Sequence, residues 1–62
     1  MNEIPVSEIL KRYPADRTSS LAILEDIQAA YKFLPREALE QAAEYLGMHE
    51  GEIYQLATFY QA

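Results

Sequence analysis

Between residues 21 and 34 the apolar side chains fall at steps of three and four: Leu21, Leu24, Ile27, Tyr31 and Leu34. That period follows one face of an α-helix, whereas a half-buried strand would alternate apolar and polar positions. Ile23 and Ala30 widen the stripe, and Glu25, Asp26 and Lys32 take the other side. Pro35 limits the segment, because the residue before a proline is pushed out of helical geometry. Upstream, Asp16-Arg17-Thr18-Ser19-Ser20 reads as a turn. Any of Thr18, Ser19 or Ser20 could cap the free N–H groups of the helix that follows.

Three further segments carry the same period. Val6, Ile9, Leu10 and Tyr13 define a short first helix, with Pro5 suited to its first turn and Pro14 ending it near Tyr13. Glu8 is placed to pair with Lys11 or Arg12 on its outer face. Residues 35–46 form a third helix with Leu39, Ala42, Ala43 and Leu46 inward, and Gly47 suits a left-handed stop. A fourth runs from about His49 or Glu50 to Tyr60, with Ile53, Leu56, Ala57 and Tyr60 on one side. The expected fold is all-α, a small bundle of four short helices. It is a single domain in which residues 1–15 supply the short first helix and residues 16–62 a three-helix core.

The chain is 62 residues long, so folding buries only about 60% of the surface its unfolded form exposes. A marginally stable domain follows. No Cys is present, so disulfides, thiolate metal sites and a cluster held by this chain are ruled out. The net charge of −5 argues against nucleic acid and anionic membranes as partners. No apolar run approaches the roughly 20 residues that span a bilayer. The first residues also lack the basic-then-apolar pattern of a signal peptide. The chain reads as soluble and cytoplasmic, without direct membrane insertion.

Nothing in the sequence supports an independent catalytic site. His49 is the only histidine and has no second nitrogen or sulfur ligand to work with. Glu37, Glu40 and Glu44 share a helix face that could hold a cation, but Arg36 can pair with Glu40 and a solvated face explains all three. Ser19 and Ser20 have no base placed to activate them. Ser20-Leu21 superficially resembles the attachment site of an acyl carrier protein. Ser19 stands where that family has aspartate, however, and too little chain precedes it for the family's long first helix.

The terminal stretch is the anomaly. From Ile53 to Ala62 there is no charged residue, although a helix wet on its outer side would normally carry Lys, Glu or Arg there. Either it is buried on several sides or the protein continues past Ala62. Tyr13, Tyr31 and Tyr60 can fill the bundle, whereas Phe33, Tyr54 and Phe59 are harder to place inside it. Surplus aromatic surface points to docking. The candidate interaction residues are Phe33, Tyr54, Thr58, Phe59 and Tyr60.

Four groups of residues, in order and at matching spacing, carry a family resemblance. They are Leu24-x-x-Ile27-Gln28; Tyr31-x-Phe33-Leu34-Pro35-x-Glu37-Ala38-Leu39; Ala42-Ala43-x-Tyr45-Leu46-Gly47; and Ile53-Tyr54-x-Leu56-Ala57-Thr58-Phe59-Tyr60. The chain resembles the N-terminal helical region of the thioredoxin-like [2Fe-2S] subunit (24 kDa-type) of NADH:quinone oxidoreductase. The same subunit type occurs in NAD-linked hydrogenases and formate dehydrogenases. The resemblance covers roughly Asp16 to Tyr60. It departs at Lys32, where the family usually has Gly, and at His49, where Ser or Pro is common. A Ser would form a capping box with Glu52.

In that family the chain continues into a thioredoxin-like domain whose four cysteines hold the cluster; none of that domain is present here. The resemblance therefore implies a structural and docking domain, not catalytic alone. Its parent subunit would carry a [2Fe-2S] centre beside a flavin/NADH-binding subunit. The implied partners are that subunit and the parent's own thioredoxin-like domain, with Phe59 and Tyr60 helping to set the packing at the junction. The alternative expectation is a free-standing helical adaptor with no redox role.

Overall fold

A computed structural model describes the backbone of residues 5–61 and the side chains of residues 5–58. Among the described residues the elements are α1 (Val6–Leu10), a 3-10 turn (Arg17–Ser19), α2 (Ser20–Tyr31), α3 (Arg36–Leu46) and α4 (Glu50–Gln61), with no strand. The all-α expectation holds. Helix α1 packs on α2 and α3, α2 packs on α3 and α4, and α3 packs on α4.

One core ties these elements together. Ile9, Ile23, Leu24, Ile27 and Ile53 are its fully enclosed large side chains. Ala38, Ala42 and Ala43 are buried on α3, where their small size lets α4 approach and seat Ile53 and Ala57. The reversal between α3 and α4 depends on Gly47, which ends α3 at φ 70°. The Met48 N–H bonds the Ala43 carbonyl at 2.9 Å and the Gly47 N–H bonds the Glu44 carbonyl at 3.3 Å. These are the two bonds of a Schellman motif, and they satisfy carbonyls that would otherwise be orphaned at the helix end.

Several boundaries differ from the sequence expectation. Helix α1 stops at Leu10 rather than near Tyr13, because Arg12 and Tyr13 turn back to the Ile9 and Leu10 carbonyls in tighter i→i+3 bonds. Arg12 pairs with Asp26 of α2 at 3.1 Å, so the expected pairing with Glu8 is not made by it. Helix α2 ends at Tyr31, not beside Pro35. Leu34 is buried nonetheless, as a plug from the loop rather than as the last turn of a helix. Pro35 precedes α3 as its cap in extended geometry, with its carbonyl accepting the Leu39 N–H at 3.1 Å.

The buried stripe of α2 is also rotated. Ser20, Ile23, Leu24 and Ile27 face the core, while Leu21 is 48% exposed. At about 100° per residue, Leu21 lies a quarter-turn from Ser20 and outside the face centred between Ile23 and Leu24. None of Thr18, Ser19 and Ser20 caps α2 with its side chain in the expected way. Asp16 caps the preceding 3-10 turn instead, accepting from the Thr18 N–H at 2.8 Å and from the Thr18 hydroxyl.

Lys32 keeps the left-handed conformation, with φ 72° and its N–H on the Gln28 carbonyl at 2.7 Å. A non-glycine residue there costs about 1 kcal/mol.

Truncating Ile53 to Ala is expected to lower stability by about 2–5 kcal/mol, the range for a large buried aliphatic. In a domain this small that removes most or all of the folded population. Urea unfolding followed by far-UV circular dichroism would check it; a loss under about 1 kcal/mol would mean that the α3–α4 seat can collapse around the hole.

Candidate docking surface

The entry to α4 is held by one acidic side chain. Glu52 takes the Arg17 guanidinium at 2.7 Å and 3.4 Å, joining the 3-10 turn to α4 across 35 residues of sequence. The same carboxylate accepts the His49 backbone N–H at 3.1 Å. That is one half of a capping box, from the third helical residue back to the cap; an imidazole supplies no matching short acceptor for the other half. Glu52 is accordingly held below the usual carboxylate range, first by the Arg17 hydrogen bond and then by the His49 N–H.

Beside this pair runs an open groove of ≈ 510 Å³ bordered by Arg17, Met48, Glu52, Gln55, Leu56 and Thr58. Leu56 and Met48 are half-buried in it, while Gln55 and Thr58 are exposed. The Thr58 hydroxyl donates to the Gln55 carbonyl at 2.7 Å, inside its own helix. Its polar group is therefore already satisfied.

Tyr54, one turn before Thr58, does not border the groove; it is half-buried and packs against the core. Its hydroxyl oxygen is enclosed without a hydrogen bond of acceptable geometry. Across from it, the Arg36 guanidinium at the start of α3 is held more basic than usual, first by the Tyr54 hydroxyl and then by Glu40, its ion-pair partner at 3.3 Å. The two groups face each other without closing a well-formed bond.

Of the five candidate residues, Phe33 is 58% exposed, in the loop between α2 and α3. It does not border the α4 groove. Tyr54 and Thr58, four residues apart, are neighbours along one face of α4, with Tyr54 packed against the core and Thr58 at the groove. The side chains of Phe59 and Tyr60 lie outside the described residues. Leu21, Arg17 and Met48 join the accessible surface without having been singled out from sequence. Helical periodicity placed Leu21 on the wrong side, and no local signal could have paired residue 17 with residue 52.

A second polar cross-link holds the far side of the bundle. The Tyr13 hydroxyl donates to Asp26 at 2.7 Å, and the Tyr45 hydroxyl donates to the Tyr13 carbonyl at 2.7 Å. The Tyr13 phenol is pushed up first by its bond to Asp26.

No three His, Cys, Asp or Glu side chains among the described residues are grouped so as to hold a metal ion. No helix among them is long and apolar enough to cross a membrane. The family model described as thioredoxin-like [2Fe-2S] ferredoxin matches residues 6–62. No solved structure matches the chain.

The Glu52 contacts carry a pH dependence. A carboxyl whose pKa falls on folding stabilises the fold above its unfolded value, about 4.3, and that contribution is lost as the pH drops through the folded value. Asp16, lowered first by the Thr18 hydroxyl, adds with the same sign. The thermal midpoint of the unaltered chain should fall on acidification, and Glu52→Gln should flatten that fall. Melting curves across the acid range would show it; parallel slopes for the two proteins would mean that the Arg17–Glu52 pair contributes nothing to folding.

Proposed function

The chain belongs to the thioredoxin-like [2Fe-2S] ferredoxin family, and we propose that it is that family's helical docking domain, of the type found in NADH-oxidising complexes. Its partners are a thioredoxin-like domain that carries the cluster and a neighbouring subunit that binds flavin and NADH. The cluster itself does not fit on these residues. The chain has no cysteine, and its single histidine, His49, is exposed and stands alone. No electron-transfer step is assigned to it.

The observation that carries the proposal is α4. From Ile53 to Gln61 it bears no charge, yet Gln55 and Thr58 are exposed and Leu56 is only half-buried. A helix that kept this side in water would gain solubility from charged residues there. Uncharged, partly apolar surface on one side is what a helix needs when another folded domain covers it. Thr58 contributes a hydroxyl already bonded within α4, so covering it strands no donor. In this proposal Tyr54, Thr58, Phe59 and Tyr60 form the seam toward the cluster-bearing domain.

Mixed with a flavin-containing NADH-oxidising subunit and the cluster-bearing domain, the chain should enter a complex seen by size-exclusion chromatography. Replacing both Gln55 and Thr58 by Lys should weaken its hold on the cluster-bearing domain at least about tenfold, equal to 1.4 kcal/mol, while leaving the helical circular dichroism intact. Absence of any complex with the unaltered chain would overturn the docking role. Incubation with iron and sulfide should leave the chain colourless; an absorbing, protein-bound cluster would contradict the assignment of the cofactor to the other domain.

A further inference from the structure

Helix α1 has little of its own to hold it together. It is 5 residues long, and isolated helices shorter than about 12–15 residues are marginal in water. Pro5 caps it without a side-chain hydrogen bond, and no basic residue stands in its last turn. What it adds to the core is Val6, Ile9 and Leu10, packed on α2 and α3. The apolar gain from three such side chains is of the same order as the cost of fixing the backbone of residues 5–13. The seam with α3 is also open at its edge, where Leu10, Gln41, Glu44 and Tyr45 border a cleft of ≈ 260 Å³.

The bonds that close this element are polar and lie just after it. The Tyr13 hydroxyl donates to the Asp26 carboxylate of α2 at 2.7 Å, and the Tyr13 carbonyl accepts the Tyr45 hydroxyl of α3 at 2.7 Å. One residue is thereby fastened to α2 by its side chain and to α3 by its backbone. Both tyrosines are half-buried, so these bonds are partly shielded from water. Arg12 reaches the same carboxylate at 3.1 Å, but its side chain is 49% exposed and such a pair contributes little. The seat of α4 on α3 is built differently, from Ile53 and Ala57 beside buried alanines, and uses neither phenol.

We infer that residues 5–13 form a strap that opens from α2 and α3 as a unit while α2, α3 and α4 stay folded, and that Tyr13 is the clasp that shuts it. Opening uncovers the part of the α2 and α3 inner faces that Val6, Ile9 and Leu10 fill in the closed form. Segments that open below the global unfolding limit are those with few buried contacts of their own, and α1 is the shortest α-helix among the described residues. The strap is a property of this chain alone and does not depend on the partners proposed above.

Hydrogen exchange of the whole chain at low urea, read amide by amide and corrected for intrinsic rates, tests it. The Lys11 and Tyr13 amides bond the Ser7 and Leu10 carbonyls and so report the closed strap. Their protection should be at least about tenfold lower than that within α3 and α4, and should depend less steeply on urea because less surface is uncovered. Tyr13→Phe keeps the ring and should lower their protection about a further tenfold, whereas Arg12→Gln should change it less than about threefold. Ala57→Gly should speed exchange within α4 about fivefold and leave Lys11 and Tyr13 unchanged, because α4 stays seated when only the strap opens. If Lys11 and Tyr13 share the protection and urea slope of α3 and α4 and follow them in Ala57→Gly, the chain opens as one piece and the strap is overturned. If they open separately but Tyr13→Phe leaves them unchanged, or Arg12→Gln costs as much, Tyr13 is not the clasp.

Discussion

The close approach of α4 to α3 is the contact on which the remainder of the fold depends. Three alanines, Ala38, Ala42 and Ala43, clear the inner side of α3, and Ile53 enters the space beside them with no exposed surface. The left-handed Gly47 aims the chain back so that this contact is made. No disulfide can compensate for a poor seat, since the chain has no cysteine. A domain of this size has only a few kcal/mol of net stability to lose. Polar links then set the edges: Arg17–Glu52 at the entry to α4, and Arg12 with Tyr13 on Asp26 where the turn after α1 meets α2.

Once α4 is seated by Ile53 and Ala57, its other sides are left to meet something else. They carry Gln, Thr and Leu in place of the charges usual on a wet helix. The acids of α4 are confined to its first turn, Glu50 and Glu52, while Glu37 and Glu44 stand exposed on α3. This division of surface, with charge on the outer face of α3 and none on α4 after Glu52, is what the proposed docking role requires. Membership of a [2Fe-2S] family and the lack of cluster ligands are compatible on these terms. In the proposed role the helical part orients, and a different part of the assembly holds the iron.

The fold was largely legible in the sequence because helices are written in local spacing. The apolar period gave α3 and α4, Gly47 gave the stop, and Pro35 gave the break before α3. What local spacing could not give was phase and long-range polar pairing. Leu21 and Ile23 both fit a helical stripe with Leu24 and Ile27, and only packing against the neighbouring helices decides that Ile23 goes in. Asp16 looked like a turn residue and acts as the cap, because the chain inserts a 3-10 turn before α2. Lys32 followed the backbone that glycine would favour, showing that the tertiary context, with Leu34 plugged into the core two residues later, outweighs the local cost. For the candidate site, the absence of charge from Ile53 onward was visible, but the Glu52 bridge to Arg17 was not.

Hydrogen exchange of this chain, alone and bound to the cluster-bearing domain, tests the proposed docking account most directly. The account predicts slowed exchange on binding at the α4 amides of residues 55–58, with α1 and the outer face of α3 unchanged. Protection confined to α1 or to the acidic face of α3, or no change anywhere in a mixture shown to be bound, would contradict it.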